Sequence, residues 1–442
     1  VTSNDWLIRG GRVIDPANNV DDVRDVLILD GKIAEVGIDL KADVPSIDAT
    51  GMMVTPGWID IHVHLRVPGF EHKETIATGT AAAAAGGFTA VACMPNTKPA
   101  LDSPDVLDTL AHIVESEGLV RVFPIASITR GRTGAEAVEF SAVIQAGAIG
   151  WSDDGDTTAD SLIMRRALET SKELNRPVIV HCEDKTIAHG AMNEGEVSRR
   201  LGIAGIPAAA EEIIIARDLM LAELTGGWVH ICHVSTGRGA ELIAEAKQRG
   251  IRVTAEVMPH HLSMSDEWVA GSRTLHNTLE PDVPAEEAGS PNTKVNPPLR
   301  PVADTVALLN ALKSGVFDCF GTDHAPHEAE IKADSTFENA AMGLSGSEFA
   351  FPLTWALVQA GHLSESELVR LWTVAPAAIL REALGTLTPG SPADVTIFDP
   401  ERTWTVSPST LKTKSHNTPL LGRELRGRAI HTLVAGEEVH RA

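Results

Sequence analysis

The chain has 442 residues, 43% hydrophobic and 22% charged, ordinary proportions for a globular enzyme with room for a large barrel and an accessory unit. Its 60 acidic residues outnumber 37 basic ones, and the net charge of −23 repels phosphate backbones and anionic lipid. Nucleic acid and membrane are therefore poor partners, and an anionic substrate needs a locally cationic pocket. Cys93, Cys182, Cys232 and Cys319 form no CxxC pair and no disulfide framework, so buried reduced thiols are expected. The opening Thr2-Ser3-Asn4-Asp5 does not read as a signal peptide, so none is expected, and the longest apolar stretch, Ala81 to Met94, is too short to span a bilayer. A cytoplasmic enzyme fits.

In chain order, Leu7-Ile8-Arg9, Asp25 to Leu29 and Ile33 to Val36 read as short strands divided by Gly10-Gly11 and Asp30-Gly31. The same texture returns at Asp394 to Phe398 and Ala429 to Val434. Residues 1–55 and 388–442 are thus expected to pair into one small β-sandwich, with two separate appendages as the alternative. Between them, residues 56–387 alternate strand and helix. Apolar or β-branched runs end at His64, Asn96, Thr129, Asp154, Asp184, Ser235, His260 and Thr322, with helix-like stretches such as Pro104–Glu117, Ala208–Glu223 and Arg238–Arg249 between. Eight alternations over about 320 residues predict a (β/α)8 barrel of the TIM type, in which chemistry sits at the C-terminal ends of the strands. No GxGxxG follows the first strand, which weighs against a dinucleotide-binding fold.

Polar residues cluster at those strand ends. His62 and His64 stand two apart, so strand alternation aims both imidazoles at one face. His181 closes the fifth run. His230 and His233 in the sixth have opposite parities; His233 is nearer the C-terminal end and is the better ligand, leaving His230 a structural role. The eighth run ends Thr322-Asp323-His324-Ala325-Pro326-His327 and offers one carboxylate at its tip. An isolated pair of this kind is more often hydrogen-bonded than metal-bound, but all lie at the ends of their own strands. Nitrogen and oxygen donors without thiolate suit zinc best, with manganese or cobalt as substitutes. A two-metal centre needs a bridging anion. No lysine lies between Lys98 and Lys172, so a carboxylated lysine is not available from strands three or four, and the bridge falls to Asp153 or Asp154.

The runs His62-Val63-His64-Leu65-Arg66, Met94-Pro95-Asn96-Thr97, Ser152-Asp153-Asp154-Gly155, His181-Cys182-Glu183-Asp184, His233-Val234-Ser235-Thr236, Pro259-His260-His261-Leu262, Lys294 to Arg300 (KVNPPLR) and Thr322 to His327 (TDHAPH) closely resemble the class I dihydroorotases, in the same order and over nearly the whole chain. The resemblance implies a metal-dependent cyclic amidohydrolase that interconverts dihydroorotate and N-carbamoyl-aspartate in pyrimidine synthesis. It implies two divalent ions, with His62, His64 and Asp323 on one, His181 and His233 on the other, and Asp154 bridging. It further implies that Asp323 is the catalytic proton carrier, and that Arg66, Asn96, Asn296 and His327 contact substrate, with backbone contacts at Met342 and Gly343. A homo-oligomer and a transcarbamoylase partner also come within what it implies. Three departures stand out: Val67 replaces the usual glutamate, Ala341-Met342-Gly343 replaces a Pro-Phe-Gly run, and the segment from Gly271 to Asn292 is longer. The last two are expected to reshape the loop over the substrate. The rival readings are a hydantoinase, dihydropyrimidinase or allantoinase, and a catalytically silent scaffold. The lysine gap and Arg66 disfavour the first; the complete ligand set disfavours the second.

Overall fold

The structure is a computed structural model, describing residues 4–442. The two ends of the chain are hydrogen-bonded into one eight-stranded sheet. Trp6–Asp15, Val20–Leu29, Lys32–Gly37, Ser46–Asp48 and Met53–Pro56 come from one end, and Val395–Thr405, Glu424–Val434 and Glu437–Arg441 from the other. Their junction is the antiparallel pairing of Met53–Pro56 with Val395–Thr405, Thr55 opposite Thr396. Strand alternation turns Ile8, Val13, Val26, Ile28 and Ile33 into the same core as Val54, Val395, Ile397 and Leu433. Each end covers apolar surface of the other, so separate appendages are excluded.

The middle of the chain closes into a parallel barrel. Strands Trp58–Val63, Phe88–Cys93 and Arg121–Pro124 pair in sequence. The fourth stave is reduced to Trp151, bridged to Ala126 on one side and Val178 on the other. Val178–Val180, Val229–Ile231, Val253–Val257 and Cys319–Phe320 follow, and the bridge from Val63 to His324 returns to the first strand. The helix Pro104–Glu117 begins where sequence places it: Pro104 occupies the first turn, where its missing N–H is no loss, and Asp105 complements the helix dipole. Ala209–Thr225 and Gly237–Gln248 match the other two helical stretches closely, the latter capped by Thr236, whose hydroxyl accepts from Gly239 N–H.

One expectation is corrected here. The barrel strands stop short of every strand end read from sequence, so the polar site residues other than His62, which lies within Trp58–Val63, sit on the loops just beyond the strands. The segment from Gly271 to Asn292 docks in part on the C-terminal segment. Arg273 within it pairs with Glu286 at 2.5 Å, and Arg423 of the C-terminal segment donates to the carbonyls of Arg273 (2.7 Å) and Pro281 (3.1 Å). Leu279, Pro281 and Val283 line a groove with Arg423, Leu425 and Arg426. No helix among the described residues is long and apolar enough to cross a membrane.

Candidate active site

At the C-terminal mouth of the barrel, six side chains from five of the eight staves converge. Asp154 lies at their centre. Its Oδ1 is 3.5 Å from His62 Nε2, 3.4 Å from His233 Nε2 and 3.7 Å from His181 Nδ1, and its Oδ2 is 3.5 Å from His64 Nε2. Asp323 Oδ1 lies 3.0 Å from His64 Nε2 and 3.6 Å from His62 Nε2. Asp153 is elsewhere: its carboxylate accepts from the backbone N–H of Ile128 and Thr129 and from the hydroxyls of Thr129 and Thr158. Local sequence left Asp153 and Asp154 open as the central anion; geometry brings only Asp154 to the histidines.

The histidines are held in orientation from behind. His62 Nδ1 is 2.6 Å from Glu256 Oε1, and His64 Nδ1 is 2.8 Å from Asn96 Oδ1. Because these oxygens only accept, each Nδ1 donates to the group behind it, and each Nε2 faces the centre. His181 is reversed, with Nε2 3.4 Å from Glu183 and Nδ1 facing inward. His230 stands against the same scaffold, with Nε2 3.4 Å from Glu256 Oε2 and Nδ1 2.9 Å from Thr254 Oγ1, outside the cluster. Glu256 and the bracing role of Glu183 escaped the reading from sequence. The signal for Glu256 was a lone carboxylate in the otherwise buried strand Val253–Val257.

Two of these placements do not come from strand alternation. His233 lies past its strand with φ 31°, and Arg66 lies past the first strand with φ 64°. Asp323 has φ 48°. Three non-glycine residues in the left-handed region, all facing one cavity, represent local strain held by the surrounding structure.

A metal fits this donor set. His62 Nε2 and Asp154 Oδ1 are buried and lack a hydrogen-bond partner, although they face each other. His181 Nδ1 and His233 Nε2 approach to 2.9 Å, a distance that two lone pairs tolerate only with a proton or cation between them. Burial opposes charge throughout, yet His62 and His230 hold Glu256, and His62, His233 and His64 hold Asp154, well below the ordinary carboxylate range, while Glu256 and Asp154 raise His62 well above the ordinary imidazole range. His62, His64 and Asp323 form one compact set of three ligand atoms; His62, Asp154 and His233 form another.

Above these groups lies a cavity of about 270 Å³ lined by Arg66, Asn96, Asn296, His327, Met342 and Gly343, together with His64, Asp154, His181, His233 and Asp323. Lys185, unremarked in the sequence, also lines it and pairs with Glu183. Arg66 donates from Nε to Pro326 O (3.2 Å), and among the described residues no carboxylate pairs with its guanidinium. Burial lowers its pKa to about 10, so it stays charged at neutral pH. Asn296 Nδ2 lies 3.3 Å from Glu183. His327 Nε2 is 2.9 Å from Met342 O. Gly343 has φ 131°, and a Cβ there would stand 2.7 Å from that of Ala325, so only glycine fits. Its N–H is given to Lys294 O.

Comparison with known proteins agrees with this geometry. Residues 51–238 match the family described as Dihydro-orotase-like. A dihydroorotase of Geobacter sp. (strain M21) is 46% identical over 439 residues, covering 99% of both chains. That of Pelotomaculum thermopropionicum is 47% identical over 436 residues, covering 98% of each. Among solved structures, the L-hydantoinase (dihydropyrimidinase) from Arthrobacter aurescens superposes with a TM-score of 0.84 at 24% identity, covering 99% of this chain and 96% of that one, and shares the barrel-plus-sandwich fold. With a converged His/Asp centre, a cationic cavity above it and relatives of this identity along its full length, the chain belongs to the dihydroorotase family of metal-dependent cyclic amidohydrolases.

Proposed function

We propose that this cavity carries out the reversible hydrolysis of dihydroorotate to N-carbamoyl-aspartate, a step of pyrimidine synthesis, with two zinc ions per chain. The observation that carries the reading is Arg66: a buried guanidinium facing the cavity with no carboxylate of its own calls for an anionic substrate. A neutral hydantoin or dihydrouracil ring leaves it unpaired. In this reading His62, His64 and Asp323 would hold one ion and His181 and His233 the other, with Asp154 available to both. When bound, such cations lower the pKa of water and polarise the scissile carbonyl. Arg66 takes the substrate carboxylate through paired charge-assisted hydrogen bonds, with Asn96 and His327 at its sides and Asn296 toward the ring. Asp323 accepts a proton from the attacking water and delivers it to the ring nitrogen as the C–N bond breaks. The free, buried thiols of Cys93, Cys182, Cys232 and Cys319 suit a reducing cytoplasm.

The test joins elemental analysis of protein purified without chelator to turnover of dihydroorotate. The expected result is close to two zinc ions per chain and ready ring opening. A reproducible value near zero in active protein sinks the metal assignment, and a value near one removes the spanning role of Asp154. A second measurement concerns Glu256. Glu256→Gln keeps the shape behind His62 but removes the charge, and is expected to weaken metal binding roughly 10–100-fold in competition with a chelator. An unchanged affinity denies Glu256 that role.

A further inference from the structure

Between the strands Val395–Thr405 and Glu424–Val434 the chain leaves the sheet and runs as a strap along the barrel mouth. Buried carboxylates fix it. Glu348 accepts from the N–H groups of Lys412 (2.8 Å) and Thr413 (3.0 Å), Glu74 accepts from Lys414 N–H (3.2 Å), and Ser415 Oγ donates to Lys73 O (2.7 Å). Two residues on stands Asn417, 3% exposed and behind the cavity wall.

The primary amide of Asn417 has two hydrogens and two lone pairs, and both hydrogens and at least one lone pair are used. Oδ1 accepts from His327 N–H (3.0 Å) and lies 2.9 Å from Ser345 Oγ, whose one hydrogen is shared between it and Ser415 O (2.7 Å). Nδ2 donates to Ala325 O (3.0 Å) and Gly343 O (3.1 Å). Ala325 and His327 flank Pro326, whose carbonyl receives Arg66 Nε. Gly343 follows Met342, whose carbonyl faces the His327 ring. One amide therefore grips both ends of the turn that aims Arg66 and also the loop that aims His327.

We propose that Asn417 is a positioning residue for recognition of the substrate carboxylate, acting through the Ala325–His327 turn on Arg66 and through Gly343 on the loop facing His327. The proposal rests on the reading that Arg66 and His327 hold that carboxylate. Its place in a remote, C-terminal part of the sequence gives no hint of this, since the contacts span 74 and 92 positions to Gly343 and Ala325.

Asn417→Asp keeps the shape but sets a carboxylate oxygen against two carbonyls. Its KM for dihydroorotate is expected to rise roughly ten- to hundredfold, as for the loss of two buried hydrogen bonds. kcat is expected to change by less than about threefold, and metal content to stay at the wild-type level. Residual opening of dihydrouracil, which has no carboxylate, should barely move, so the preference between the two rings narrows. Ser345→Ala loosens the same amide without adding charge; it should shift KM in the same direction by less, and it carries the test if Asn417→Asp does not fold. Equal loss on both rings, a fall in kcat at constant KM, loss of metal, or no change at all overturns the proposal. Arg66→Lys measured alongside separates the two ideas. If it narrows the preference while the Asn417 and Ser345 variants do not, only the role of Asn417 fails. If it too leaves the preference intact, the carboxylate reading fails and takes the proposal with it.

Discussion

Asp323→Asn is expected to lower dihydroorotate turnover by roughly 10²–10⁴-fold, the range for removing a positioned acid–base group. The amide preserves size and one oxygen donor, so bound metal should change less than activity. Asp323 is 6% exposed, and despite burial its carboxyl is held below the ordinary range by the hydrogen bond with His64 and by the neighbouring His62 and His233. It is therefore ready to accept a proton rather than already carrying one. Asparagine also tolerates the left-handed backbone at this position, so the loss is not expected to come from unfolding. Steady-state assays with parallel metal analysis decide the matter; near-normal turnover removes Asp323 from the proton path. His324, the adjacent candidate, is a poor substitute. Its Nδ1 accepts from Gly346 N–H at 3.1 Å and its Nε2 faces Glu74 at 3.5 Å, away from the cavity.

The second large effect is one of substrate choice. Dihydroorotate should be opened far faster than dihydrouracil, because the carboxylate supplies the anion missing from Arg66. Arg66→Lys retains the charge but loses the planar fork and the Nε bond to Pro326 O. Loss of a charge-assisted bidentate pair of this kind corresponds to roughly 10–100-fold in kcat/KM on dihydroorotate. Any activity on dihydrouracil should respond little. Equal opening of both rings by the unaltered protein places the chain's chemistry with the hydantoinases, whose fold it shares.

Much of this was legible in the sequence for a simple physical reason. A barrel strand is buried on both faces, so a histidine or aspartate at its end stands out from an apolar background, as His62, His181 and Asp323 do. The helix Pro104–Glu117 was legible because proline and glycine punctuate both of its ends. What sequence could not convey was the backbone path beyond the strands. Arg66 and His233 face the cavity through left-handed turns, not through strand alternation. Nor could it convey long-range hydrogen bonding: Glu256 behind His62 joins residues 194 positions apart. The extra length from Gly271 to Asn292 was visible, but its docking on Arg423 was not.

The pairing of Met53–Pro56 with Val395–Thr405 also bears on how the molecule is made. These partners are separated by about 340 residues, and a ribosome adding roughly 5–20 residues per second needs tens of seconds to deliver the second after the first. Through that interval Met53–Pro56 has a hydrogen-bonding edge without its antiparallel neighbour, and Val54 lacks the cover of Val395 and Ile397. The barrel can assemble from neighbours close in sequence, whereas the flanking sheet is completed last. Nascent chains arrested before Val395 should accordingly be more open to proteolysis near residues 50–57 than released full-length protein.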